Sequence, residues 1–449
     1  MKKSVSREAV TPPFRNIGTR KLYKMKYISL FFLIAGFMSC SHPKQDGITN
    51  SEDYDRYLVA SAVDTTSKYF ELWNSKIKSD SIQLVSFGIV AGEYGRYFQK
   101  TGDIRFLKKA EQALKKATDI AAIGRAGYYR ALARNYISQH RFKEALEVGK
   151  KAYAVGNGLD QTKALLFDIH MELGNYETAR AYLDSIGDFK GFDFLIRLAK
   201  WKDHKGDLSH TIRLMEDATT KAELSKNKDL MLWSYTNIAD YYGHAGNIRA
   251  SYEYYLKSLQ LDPGNAYAKK GIAWIVYSHE KNPVEALRIL NSVTESNKSP
   301  DYHLLKAEIA DYMGDTALYR LELEQYTKEV AHPFYGQMYN VYTIDFHLNE
   351  SKQYKKALHL AQQEVDNRPT PESYSLLAYA YFKKGEPERA VALMKEHVEG
   401  KTFEPTVLLR SAEIYKATGN TIKAESLKEM LMETSYELGP STSDKIASL

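Results

Sequence analysis

Two stretches decide how this chain folds: YSLLAYAYFKKGEPERAVALM, from Tyr374 to Met394, and VLLRSAEIYKATGNTIKAESL, from Val407 to Leu427. Superposed, Ala378 falls on Ala412, Tyr381 on Tyr415, Gly385 on Gly419 and Ala390 on Ala424, each offset being 34 residues. Tyr374 to Lys384 and Glu388 to Val398 both carry an apolar stripe at helical spacing, so one unit is a pair of helices. Gly385 stands between them, where a left-handed residue ends one helix and admits the next. Ala378 and Ala390 are small enough for the two backbones to approach, and Leu377 and Tyr381 fill the space beside that contact. One such hairpin leaves its apolar face open, whereas a stack of hairpins covers it.

The spacing continues through most of the chain. Taking the turn residue as marker, it recurs at Gly102, His140, Gly174, Gly206, Gly246, Glu280, Gly314, Lys352, Gly385 and Gly419, with gaps of 32 to 40 residues. Leu132, Ala133, Tyr136, Phe142 and Ala145 surround His140. Ile238, Ala239, Tyr242 and Tyr255 surround Gly246, with Pro263 closing that unit as Pro369 closes a later one. Large, small, aromatic, small and proline positions in this order resemble the tetratricopeptide repeat family over roughly residues 85 to 435. That resemblance implies an all-α fold, a right-handed α-solenoid of about ten helix hairpins with a concave groove for peptides or partner proteins. The 34 tyrosines suit this reading as filler between helices, and 26 glycines with 12 prolines are too few for a loop-rich fold.

The start of the chain reads differently. In KYISLFFLIAGFMSC, Lys26 precedes an apolar run from Tyr27 to Met38, which ends at Ser39 and Cys40. Crossing a bilayer needs roughly 20 apolar residues, so this run is too short to span and has instead the layout of a secretory signal. Cys40 is the only cysteine, and FMSC resembles a lipobox with Phe37 in place of the commonest leucine. Residues 1–40 are therefore expected to be a signal peptide with its natural start at Met25, and Cys40 the lipidated residue. Ser41 is not the aspartate that retains some lipoproteins at the inner membrane, which points to the outer membrane. Residues 41–51 read as a flexible tether, 52–84 as N-terminal capping helices, 85–435 as the solenoid and 436–449 as a polar tail. Four tripeptides, at Asp64, Asp80, Asp184 and Asp315, resemble an O-glycosylation signal of exported bacterial proteins.

Charge and motifs exclude several classes. The formal net charge of +6 belongs to the first forty residues, where eight Lys and Arg face only Glu8; the rest holds 54 basic and 55 acidic residues, a net of −1. No electrostatic case for nucleic acid remains. There is no phosphate-binding loop, no Gly-x-Ser-x-Gly elbow, and no pair of histidines three or four apart to hold a metal. Neither enzyme activity nor a cofactor is expected.

Function is then expected in the groove. Carried over from the family, the inward positions of the first helices are Arg130 and Arg134, then Lys200, then Trp233 and Asp240. They continue with Tyr267, Lys270, Trp274 and Tyr277, then Tyr339, Tyr342 and Phe346, and finally Tyr379 and Phe382. Such a lining is basic at one end and aromatic beyond it, and aromatic anchors with a few charges suit the capture of a peptide or helix. Two function classes follow: a lipid-anchored scaffold for protein partners of the cell envelope, and a surface glycan-binding lipoprotein that stacks sugars on the rings. Glycan binders of that kind carry long insertions between repeats, for which the spacing leaves no room, so the scaffold is favoured.

Overall fold

The computed structural model describes residues 47–59, 67–78, 80 and 82–449, all within one compact unit, Asp46–Leu449. Cys40, the apolar run before it and residues 41–46 of the expected tether lie outside the described residues. Among the described residues every regular element is helical, and none is long and apolar enough to cross a membrane.

Ten hairpins follow one another, from Leu84–Thr101 with Ile104–Ile120 to Pro405–Ala417 with Thr421–Glu433. The chain is an all-α solenoid. Nine of the ten expected markers carry the left-handed residue of their hairpin, including His140 at φ 56° and Lys352 at φ 52°. The tenth is displaced by one: Lys281, at φ 56°, makes the turn expected at Glu280. The cause lies just upstream, where Ile275–His279 is a π-helical turn. A π-turn inserts one residue into a helix, so the turn of that hairpin arrives one position late.

A polar residue follows the turn in many units. Asp103, Asp207, Asn247, Asn282, Asp315 and Asn420 each accept a hydrogen bond from an amide in the first turn of the next helix, satisfying a donor the helix cannot. Each hairpin then closes on its small residues. Ala378, Ala390 and Ala424 are buried among Leu376, Leu377, Tyr415 and Met394, and Ala412 is buried against Leu408 and Leu431.

The early hairpins also touch the late ones. Thr101 and Lys100 accept from Lys298 N at 2.6 Å and Asn297 Nδ2 at 3.1 Å. The His140 carbonyl accepts from Asn367 Nδ2 at 3.0 Å, and Glu172 pairs with Arg368 at 2.9 Å. These partners lie 196 to 227 residues apart in sequence, so successive turns of the superhelix pack on one another. Gly174 makes that approach possible, since a Cβ there would stand 2.6 Å from the Pro369 carbonyl oxygen.

Both ends depart from expectation. Lys68–Asn74 packs on the first hairpin, with Phe70 edge-on to Tyr94 and Tyr97. Residues 47–58 instead lie against hairpins far along the chain. Thr49 donates to Glu280 at 2.7 Å and Tyr54 to Glu285 at 2.7 Å, so the last part of the expected tether is bound rather than loose. Residues 436–449, expected as a polar tail, fold as short helices because Leu438 and Ile446 bury against Leu408, Ala412 and Leu431.

Candidate partner-binding face

The first helices of the hairpins present a continuous row of polar and aromatic side chains, much of it paired from one helix to the next. Arg197 donates to Asp168 at 2.7 Å, and Lys200 pairs with Glu172 at 2.9 Å. Tyr255 and Tyr267 both donate to Asp240, the latter at 2.7 Å. Lys270 donates to Asp301 at 3.1 Å, and Arg410 reaches Asp345 at 2.8 Å across two hairpins. Alternation of sign along the row lets each charge neutralise a neighbour. The surrounding protein raises the carboxyl pKa of Asp240 and Asp345 by desolvation, with Tyr255 and Arg410 respectively opposing it.

The expected site residues separate into three sets. Arg130 is committed to the next hairpin through Asn157 O at 2.8 Å and Thr162 Oγ1 at 3.1 Å, while Arg134 stays exposed near Asp168 and Asp193. Asp240 and Lys270 are likewise engaged between hairpins, and Trp274 donates to the Tyr436 carbonyl at 3.2 Å. Trp233, Tyr267 and Tyr342 keep open ring surface, at 40%, 50% and 46% exposure. Tyr339, Phe346 and Phe382 are half-buried.

Two expected residues are corrected. Tyr277, at 0% exposure, is core: the π-turn that contains it rotates the ring inward, between Trp274 and Tyr312. Tyr379, at 5% exposure, is covered by the next hairpin, where its hydroxyl donates to Glu413. Neither offers a surface to a partner.

Several residues of this face escaped the sequence reading, among them Asp168, Glu172, Arg197, Asp301 and Arg410. Asp168 and Glu172 stand four apart on one helix and Arg197 with Lys200 three apart on the first helix of the next hairpin, a charge-complementary pattern that could have marked them. Arg410 could not have been found, because its partner lies two hairpins away.

Tetratricopeptide repeat models match residues 234–265 and 350–405. No curated protein sequence matches the chain. Among solved structures, a human IFIT1 dimer with PPP-AAAA shares 14% identity and a TM-score of 0.41, covering 75% of this chain and 95% of that one. A signal transduction ATPase with numerous domains, carrying a tetratricopeptide repeat sensor, from Pyrococcus horikoshii shares 15% identity and a TM-score of 0.40; the match covers 85% of this chain and 56% of that one. The described residues thus form an α-solenoid in which tetratricopeptide repeats are matched over residues 234–265 and 350–405.

Proposed function

We propose that the protein is a lipid-anchored scaffold of the bacterial cell envelope, tethered through Cys40, without enzyme activity, and that it holds peptide segments of envelope proteins against the inward face of its first helices. The observation that carries the binding site is the division of labour on that face. Its charges are largely neutralised between hairpins, whereas the Trp233, Tyr267 and Tyr342 rings remain open. An aromatic anchor in such a place contributes about 2 kcal/mol or more to binding. Exchange of Trp233 and Tyr342 for Ala should weaken capture of envelope proteins more than tenfold with the melting temperature little changed. Equal capture by both forms would remove this face as the binding site. Cys40→Ser should release the protein from the membrane fraction, since acyl chains supply the affinity; a serine variant that stays bound through a salt wash would sink the anchor.

A second reading, glycan binding, draws on one feature. The segment 331–339 between two hairpins is an insertion carrying the exposed Phe334. Phe334 borders a cleft of about 610 Å3 with Gln139, Gln337, Gln363, Asp366 and Asn367. Lys108, Arg141, Lys143 and Glu144 border the same cleft, so an aromatic platform stands among amides and charges of both signs, groups that can stack on and hydrogen-bond a sugar. Saccharide binding on a glycan array that disappears with Phe334→Ala would favour it.

A further inference from the structure

Beyond the last hairpin the chain crosses to residues 158 to 164 positions earlier in sequence. There the main-chain carbonyl of Tyr436 accepts from Trp274 Nε1 at 3.2 Å and from Ser278 Oγ at 2.7 Å. Glu437 pairs with His244 Nδ1 at 3.0 Å. The Tyr436 ring lies on Gly243, where a Cβ would come within 3.0 Å of it. Gly439, at φ 74°, passes so close to Glu308 and Trp274 that its own Cβ would stand 2.7 Å and 3.0 Å from them. A cavity of about 220 Å3 remains beside the crossing, bordered by Asp240, His244, Trp274, Glu404 and Tyr436.

Leu438, Ile446 and Leu449 cover the end of the last hairpin, packing with Leu408, Ala412 and Leu431. Tyr436 and Glu437 do something else. They are held by two donors on one carbonyl, an ion pair and a ring seated on a glycine, which are the contacts by which a groove recognises a peptide. A tethered segment works at an effective concentration in the millimolar range, so it excludes any weaker ligand.

We propose that Gly243, His244, Trp274 and Ser278 form a segment-binding site, and that the chain's own Ser435–Gly439 occupies it in cis. An external partner binds there by presenting the same chemistry, a tyrosine followed by an acidic residue on a backbone that turns at glycine. The proposal rests on the reading of this face as a partner-binding surface and adds its ligand and its built-in competitor.

The test uses the full chain and a labelled synthetic peptide spanning Thr434–Leu449. A full-chain variant with Tyr436→Ala and Glu437→Ala keeps Leu438 and Ile446 but loses the ring and the ion pair. It should bind the peptide at least tenfold more tightly than the wild type, and adding His244→Ala should reverse that gain. A folded variant, by circular dichroism, that takes up no more peptide than the wild type overturns the proposal. Should the variant fail to fold, hydrogen exchange on the wild type decides. Amides of 435–439 should exchange faster than those of Thr421–Glu433, and equal protection means a fixed structural cap. Peptide uptake without protein capture would count against the broader scaffold reading alone, while capture without uptake counts against this site alone.

Discussion

Lys352 shows what a single position in a repeat can tolerate. It adopts φ 52°, a conformation that costs a non-glycine residue roughly 1 kcal/mol, where most other units place glycine. Lys352→Gly should therefore stabilise the protein by about 0.5–1 kcal/mol, measured as a rise in denaturation midpoint; a fall would mean that the lysine side chain makes an offsetting contact. Gly271 is the opposite case. A Cβ there would meet the Tyr255 ring at 2.2 Å, and that ring is held by its hydroxyl on Asp240. Gly271→Ala should cost about 1–3 kcal/mol by overpacking, and it should also disturb the Asp240–Tyr267 pair. An alanine variant with unchanged melting would show that Tyr255 can swing away. Turn glycines such as Gly385 were readable from spacing alone, whereas nothing local in the sequence distinguishes Gly271 from an ordinary helical glycine.

Within one hairpin the contact of small residues sets how closely the helices approach. Ala424 is buried between Thr421–Glu433 and its neighbours, so Ala424→Leu should cost roughly 1–3 kcal/mol. The loss should first appear as local fraying, because a repeat touches mainly adjacent repeats. Hydrogen exchange along the last two hairpins would register it. Another hairpin, Asp301–Met313 with Thr316–Val330, holds a buried polar cluster. His303 donates to Glu322 at 2.6 Å and faces Glu329, and Lys306 pairs with Glu322 at 2.7 Å. Hydrogen bonds to those carboxylates raise the His303 pKa to about 9, above the ordinary value of about 6.5 for an unfolded chain. A histidine raised on folding stabilises fully below its unfolded pKa and loses that stabilisation as pH climbs through its folded one. The melting temperature of the wild type should fall, relative to His303→Gln, between about pH 6.5 and about pH 9. Parallel pH profiles for the two proteins would refute the assignment. The π-turn at Ile275–His279 belongs to this scale too: it shifted one marker and buried Tyr277, and no periodicity rule places it.

Contact between successive superhelical turns is a property of the whole unit. Arg368 joins Glu172 at 2.9 Å and also faces Glu364 at 2.9 Å, a carboxylate of 1% exposure. Removing the guanidinium leaves the buried Glu364 carboxylate without its cation, while Glu172 keeps Lys200; stripping the partner from a buried charge typically costs about 3–5 kcal/mol. Arg368→Ala should lower the melting temperature and speed exchange of the amides near Gly174 and Pro369, with hairpins remote from them unaffected. Uniform protection in the variant would show that the turns hold together without this bridge. What the sequence by itself determined is what repeats: helix period, nearly all the left-handed turns and the small contacts, because each depends on residues within one unit. Tertiary structure alone decided which inward rings stay open. It also decided which charges are consumed between hairpins and where residues 47–58 and 435–449 come to rest. Those outcomes depend on residues up to 233 positions apart, brought together by the accumulated rotation of many hairpins, and a pattern confined to one unit holds no information about that sum.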